Sequence, residues 1–129
     1  MFEQEQRLAP RAKIKWPVIV QKSLGVMEGV TLNISSNGVF IGCRKPLRLN
    51  ETFSLVITAK DHQIGARAEV VWSNKYGPDD HISPRGMGVR FVDISDEDRR
   101  FIARAVAEYN TEKQEVEDMK TMGLDVGDN

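Results

Sequence analysis

Apolar and polar residues alternate in one short segment after another, and this alternation constrains the fold of the chain more than any other feature. Successive side chains of a β-strand point to opposite faces of a sheet, so a period of two indicates a strand with one buried face. Six such segments are separated by turn-forming residues; they are Lys13–Val20, Val30–Ser35, Val39–Cys43, Thr52–Lys60, Ile64–Trp72 and Met87–Val92. This series predicts an all-β fold, either an antiparallel barrel or a sandwich.

The second of these segments has the sequence VTLNIS. Its alternation predicts that Leu32 and Ile34 point into the core, and that Asn33 and Ser35 point outward. Asn37-Gly38 follows directly and is a strong signal for a hairpin turn. We therefore expect two polar side chains to stand next to each other on an outer wall.

Three further expectations concern the other strands. Pro17 lies within the first strand and should point outward, since it cannot donate to the ladder. Trp72 is expected on the buried side of its strand, the side shared with Ala66, Ala68 and Val70. The segment from Asn74 to Arg85, rich in Gly, Pro and Asp, predicts a long exposed loop.

After the last strand the pattern changes to that of an amphipathic helix. Ser95 is a good N-cap, and three acidic residues follow it where the helix dipole favours negative charge. An apolar stripe at helical spacing then runs over Phe101, Ile102, Ala105, Val106 and Tyr109. This stripe predicts a helix that packs on the β domain.

Bulk composition excludes several classes of protein. A chain of 129 residues is most simply one domain. It has no apolar run that could span a bilayer and no secretory signal at its amino terminus, so we expect no membrane insertion. Cys43 is the only cysteine, which excludes an intramolecular disulfide and favours a cytoplasmic location.

The net charge of −1 conceals an uneven distribution. Residues 1–90 contain 13 Lys/Arg and 8 Asp/Glu, whereas residues 91–129 contain 5 Lys/Arg and 11 Asp/Glu. The basic part indicates an anionic ligand, but its charge is too small for a typical duplex-DNA binder. The acidic segment Glu108–Asp128 is either a solvated tail or a partner-binding element.

No arrangement of residues indicates an enzyme. The two histidines, His62 and His81, are not at metal-ligand spacing from each other or from Cys43. Asp79-Asp80-His81 has the composition of a solvated loop, and Cys43 that of a residue in or near the core. We therefore expect no catalytic residue, no metal and no cofactor.

Asn33, Ser35 and Gly38 form the most informative set of polar and small residues. An amide and a hydroxyl side by side could bind the edge of a purine or a ribose, and a glycine allows a ligand to approach the backbone. The pattern is also what any half-buried strand followed by a turn would show. From the residues alone, both interpretations stay open.

Two motifs in order give the chain a resemblance to the PilZ domain family. NISSNG matches the [D/N]xSxxG signature of that family, and RLAPR (Arg7 to Arg11) matches its RxxxR motif before the first strand. The segments VVW and GVRF also resemble PilZ sequences, so the similarity spans roughly residues 6–109. Two further RxxxR pairs, Arg44/Arg48 and Arg100/Arg104, lack this context and are expected to be surface charges.

The resemblance implies a six-stranded antiparallel barrel with a C-terminal helix and a receptor for cyclic di-GMP. It divides the chain into a flexible leader (residues 1–12), a barrel (13–94), a helix (95–120) and a disordered tail (121–129).

By that resemblance, Arg7 and Arg11 would bind phosphates and guanines, and Asn33, Ser35 and Gly38 would hold one guanine and its sugar. Gln6, where an arginine favours two bound ligands in the family, indicates a single one. Arg90 is a weaker candidate for a further contact.

Two other functions are compatible with the sequence. The chain could be a PilZ-like adaptor that binds an effector protein and no nucleotide, although the intact motifs argue against this. It could also bind single-stranded RNA or DNA, but that class needs exposed aromatic residues, and the strand pattern places most of them in the core.

Overall fold

A computed structural model of the protein describes residues 9–75 and 85–121. Seven strands precede a single described helix. The strands are β1 (Arg11–Ala12), β2 (Pro17–Lys22), β3 (Gly25–Ser35), β4 (Gly38–Cys43), β5 (Thr52–Ala59), β6 (His62–Asn74) and β7 (Gly86–Ile94), and the helix is α1 (Asp96–Thr121).

Six of these strands close into an antiparallel barrel. Around the barrel, β2 is followed by β5, β6, β7, β4 and β3, and β3 pairs again with β2. The two-residue strand β1 adds to the end of β3, where Arg11 lies opposite Ser35 and Ala12 opposite Ile34. The predicted six-stranded antiparallel barrel with a C-terminal helix is confirmed.

The inward side chains of all six barrel strands form one apolar core. In β5 the alternation is complete: Phe53, Leu55 and Ile57 are buried, and the residues between them are partly exposed. Val18 and Val20 of β2 are likewise buried, and Pro17 at its first position is exposed, as predicted.

The predicted inward position of Leu32 is wrong. A β-bulge lies between Thr31 and Asn33, so that Thr31 pairs with Ile41 and Asn33 with Phe40. The extra residue shifts the alternation by one position. Thr31 and Ile34 therefore point into the core, and Leu32 packs over Gly42 on the outside.

The predicted burial of Trp72 is also wrong, for the same physical reason. The pairing of β6 with β7 shifts between Val70 and Trp72, and Trp72 is 49% exposed, whereas Val70 is fully buried. Trp72 instead contacts Phe40 in a T-shaped arrangement, with 5.3 Å between the ring centroids. Ala66 and Ala68 lie on the buried or half-buried side, as expected.

Thr31 fastens the entry segment of the barrel to β3. Its side chain is fully buried, donates a hydrogen bond to the carbonyl oxygen of Ile14 (2.6 Å) and accepts one from the amide of Trp16 (2.7 Å). The strand predicted to begin at Lys13 begins at Pro17 in the structure. Ile14 and Trp16, which belong to the predicted alternation, precede β2 and are held by the Thr31 hydroxyl.

Helix α1 begins as predicted and packs on the barrel through its first half. Ser95 Oγ accepts a hydrogen bond from the amide of Asp98 at 3.0 Å, which is the N-cap contact. Ile102 and Val106 are buried against the barrel, whereas every residue from 110 to 119 is exposed. No helix of the described residues is long and apolar enough to cross a bilayer.

Residues 1–8, 76–84 and 122–129 lie outside the described part of the chain. The flexible leader, the interior of the exposed loop and the disordered tail therefore stay predictions. Of the leader, residues 9–12 are described, and Arg11 and Ala12 form β1.

Candidate functional site

A shallow pocket of about 220 Å³ lies on the outer wall of the barrel, where β1, β3, β4 and β7 meet. Its polar lining residues are Arg11, Asn33, Ser35, Asn37, Gly38 and Arg90, and Phe40, Val71 and Gly88 are among its apolar ones. Four of the five principal residues predicted from the sequence are thus brought together in one place.

Arg11 reaches this pocket because β1 pairs with the end of β3. The ladder sets Arg11 opposite Ser35, with Ala12 buried beneath it and the Arg11 side chain exposed. A strand of two residues is a weak ladder by itself. A second contact supports it, since Asn110 Nδ2 of α1 donates a hydrogen bond to the carbonyl oxygen of Arg11 at 3.1 Å.

Ser35 is more enclosed than predicted and shapes the turn that follows it. Only 8% of the residue is exposed. Its hydroxyl accepts a hydrogen bond from the amide of Asn37 at 3.1 Å and lies 3.5 Å from the carbonyl oxygen of Gly38. Ser35 thus lines the pocket with a hydroxyl that also holds the β3–β4 connection.

Asn33 carries an unsatisfied acceptor. Its Oδ1 is buried, and none of the described residues donates a hydrogen bond to it. Most buried polar atoms are paired, because an unpaired one loses its hydration without compensation. Because Asn33 lines the pocket, a rotation of its amide would offer this acceptor to a hydrogen-bond donor bound there.

Gly38 has a structural role that the sequence did not indicate. It is the first residue of β4 and pairs with Arg90, and a Cβ at this position would collide with the carbonyl oxygen of Val89. Neither Asn37 nor Gly38 has a positive φ among the described residues, so the connection is not the turn that Asn-Gly usually forms. Close approach of β7 requires the glycine.

Arg90 lines the pocket, but its guanidinium is engaged. Nε and Nη2 contact Glu69 Oε1 at 2.8 and 2.6 Å, and the two residues are directly opposite across β6 and β7. About half of the Arg90 side chain remains exposed. Arg90 could therefore contact a ligand only through its remaining N–H groups, or by breaking its ion pair with Glu69 and binding an anionic group of the ligand instead.

Arg7 and Gln6, the other predicted residues, lie outside the described part of the chain, as does the Asp79-Asp80-His81 run. Of the remaining RxxxR residues, Arg44, Arg48, Arg100 and Arg104 are all exposed and do not line this pocket.

Two aromatic residues beside the pocket were not foreseen. Phe40 and Trp72 meet over Gly88, which pairs with both of them and has no side chain to separate the rings. The only sequence signal is that Val70, Val71 and Trp72 are three successive apolar residues, which a strict alternation does not produce. Phe40 lines the pocket, and Trp72 packs against it, so an aromatic pair lies beside the polar lining residues.

The other candidate groups are in structural positions. His62 Nε2 lies 2.9 Å from Asp98 Oδ1, and its ring stacks on Phe101 at 4.1 Å. Burial raises the pKa of the Cys43 thiol to about 11, opposed in part by Lys22, so little thiolate forms at neutral pH. Among the described residues, no group of His, Cys, Asp or Glu could hold a metal ion.

The fold and the pocket together define a small closed barrel that carries a polar pocket on its outer wall, beside a strand from its amino-terminal end. The family model of the PilZ domain matches residues 5–108, which is most of the chain. The chain belongs to the PilZ family. Comparison with curated proteins found no match.

Solved structures with a similar fold include proteins from two bacteria. The inhibitor of motility MotI/DgrA of Bacillus subtilis superimposes with a TM-score of 0.68 at 18% identity, covering 83% of this chain and 52% of that one. YcgR of Escherichia coli in complex with cyclic di-GMP gives 0.71 at 14% identity, covering 88% and 50%. The PilZ domain of YcgR with cyclic di-GMP gives 0.68 at 12%, covering 88% and 98%.

The chain thus spans about half the length of MotI and of full YcgR, and nearly all of the isolated YcgR PilZ domain. At these identities the likeness concerns the fold.

Proposed function

We propose that this chain is a receptor for cyclic di-GMP that binds the dinucleotide in the outer-wall pocket and signals to an effector protein. The observation that carries the proposal is the meeting of Arg11 with Asn33, Ser35 and Gly38 in that pocket. Residues from two separate motifs converge there. Membership in the PilZ family, and the cyclic di-GMP complexes of the YcgR structures, support the same ligand.

The chemistry of the pocket suits such a ligand. A guanidinium can bind a phosphate or the O6/N7 edge of guanine through two parallel hydrogen bonds, and Arg11 presents one at the rim. Guanine also has N1–H and N2–H donors. The orphaned Oδ1 of Asn33 is the acceptor that matches them after a small rotation of the side chain.

In this proposal, Arg7 and the residues around it close over the bound dinucleotide from the amino-terminal side. Ordering of a segment on a ligand changes the surface shown to a partner. Such a receptor performs no catalysis and would act in the cytoplasm, where the messenger is made. Gln6 favours one ligand per chain.

Calorimetric titration with cyclic di-GMP tests the proposal. We expect saturable binding with a stoichiometry near one. Arg11→Ala should weaken it by about 100-fold, which corresponds to about 2.7 kcal/mol for a charged bidentate contact. Arg11→Lys should give an intermediate loss, because lysine keeps the charge without the fork.

Arg44→Ala is the matched control, since Arg44 is an exposed arginine away from the pocket. Its affinity should stay within about twofold of the wild type, as expected for a screened surface charge. If the wild-type chain gives no heat and no shift in melting temperature at high micromolar ligand, the receptor proposal fails. The alternative, an adaptor that binds a protein partner without nucleotide, would then be favoured.

A further inference from the structure

Helix α1 contacts two segments that line the pocket, the connection between β3 and β4 and the strand β1. Arg99 Nη1 donates hydrogen bonds to the carbonyl oxygen of Ser36 (2.8 Å) and to Asn37 Oδ1 (3.3 Å), within the β3–β4 connection. Eleven residues later, Asn110 donates to the backbone of Arg11. We propose that Arg99 and Asn110 are positioning residues for the ligand, through which α1 holds the two motifs at the spacing that binding needs. This inference rests on the proposed function.

The contact from Arg99 has a well-defined geometry, because the first turn of α1 is held in place on the barrel. The amide of Arg99 bonds to the carbonyl oxygen of Ser95 at 2.9 Å, and Ile102, one turn later, is buried in the core. A cation in the first turn opposes the helix dipole, and three acids precede this one. The bonds to Ser36 and Asn37 give a physical reason for an arginine at that place.

The segment that Arg99 holds contains part of the pocket wall. Asn37 lines the pocket, and it stands between Ser35 and Gly38, which do so as well. Asn37 makes two further hydrogen bonds: its amide donates to Ser35 Oγ, and its carbonyl oxygen accepts from the amide of Phe91. Arg99 is the contact that fixes the Asn37 side chain and the Ser36 carbonyl.

The second contact acts where the barrel provides least support. β1 pairs with β3 over only two residues, and Arg11 is the first of them. The bond from Asn110 fixes the peptide that leads out of Arg11, and hence the direction in which the Arg11 side chain leaves the backbone. Because Arg99 and Asn110 belong to one helix, the two motifs share a rigid support.

The test measures affinity in the full chain with matched variants. Arg99→Ala should weaken cyclic di-GMP binding by about tenfold, since a displaced connection must be reorganised on binding. Arg99→Lys should recover part of the loss. Arg100→Ala removes the same charge from the exposed neighbouring residue, and its affinity should change by less than twofold. Asn110→Ala, in a chain that keeps its amino-terminal residues, should weaken cyclic di-GMP binding by about threefold.

Amide chemical shifts in the unliganded protein report on local geometry and do not depend on the overall stability of the protein. Arg99→Ala should shift the amides of Ser36, Asn37 and Gly38, whereas Arg100→Ala should leave them unchanged. Affinity of Arg99→Ala equal to that of the wild type, or unshifted amides in these three residues, overturns the positioning role. A wild-type chain that does not bind cyclic di-GMP at all rejects the proposed function instead, so the two failures are distinguishable.

Discussion

At Gly38 the pairing of β4 with β7 leaves no room for a side chain. The sequence points to this position because a glycine lets a ligand approach the backbone. The structure adds that the carbonyl oxygen of Val89 occupies the space of a Cβ. A signature glycine can therefore be required by the fold even before a ligand arrives.

We expect Gly38→Ala to lower the free energy of unfolding by about 2–4 kcal/mol, because the backbone of β7 must move to admit the methyl group. Gly65→Ala is the control: it also lies in a strand, but a Cβ there meets nothing within 4 Å. That variant should stay within about 0.5 kcal/mol of the wild type or gain slightly. Chemical denaturation measures the free energy of unfolding of the two variants. Equal values for Gly38→Ala and Gly65→Ala would contradict the steric argument.

The family resemblance pointed to four residues that the structure brings together, since Arg11, Asn33, Ser35 and Gly38 all line the pocket. It could not identify Arg99, Asn110 or Trp72. The first two act through hydrogen bonds that join residues 62 or more positions apart, which no local pattern encodes. Trp72 was missed because a change in strand pairing turned it outward.

Among the strands, β3 has the largest number of structural roles. It pairs with β1, β2 and β4, contains a bulge, and ends in the residues of the pocket. The bulge brings Thr31 into the core, where its hydroxyl joins the entry segment to the barrel. The position of β1, and with it Arg11, follows from this attachment.

Thr31→Val should therefore cost about 2–3 kcal/mol of stability, because it leaves the Trp16 amide and the Ile14 carbonyl without a partner in the interior. Thr31→Ser keeps the hydroxyl and loses one methyl group, for which we expect about 1 kcal/mol. Thermal or chemical unfolding distinguishes the two. A serine variant as unstable as the valine variant would show that packing, rather than the hydroxyl, is the important contribution.

Period-two patterns located all six barrel strands, but they underestimated β3. Gly25 to Gly29 were not predicted as strand, since two glycines and an exposed valine hide the alternation there. Bulges were invisible as well, because they depend on the partner strand and not on the strand's own residues.

At the scale of the whole molecule, barrel and helix share one core, which extends along the described part of the helix as far as Tyr109. Ile102 and Val106 are buried in it, and Tyr109 packs against it. Sequence periodicity predicted this apolar stripe, whereas closure of the barrel came from the family resemblance, since strands alone also allowed a sandwich. Which strand neighbours which is a property of the complete chain.

Truncation after Asn110 should consequently leave the melting temperature within about 2 °C of the wild type, because the residues from 111 to 119 are exposed. Truncation after Arg100 removes the buried Ile102 and Val106 side chains, each worth about 1.5–3 kcal/mol. Its melting temperature should fall by more than about 10 °C for a domain of this size. A large loss from the shorter truncation would mean that the distal turns stabilise the barrel.

The exposed half of α1 also has a mechanical consequence. At 1.5 Å per residue, Met119 stands about 30 Å along the helix axis from Arg99. The part of the helix from Asn110 to Met119 is about 14 Å long, and a bend of about 5° at Asn110 would sweep its far end through roughly 1.2 Å. In the receptor proposed above, a helix anchored beside the pocket and exposed beyond it would act as a pointer, which carries a small rearrangement at its base to a surface that another macromolecule can contact.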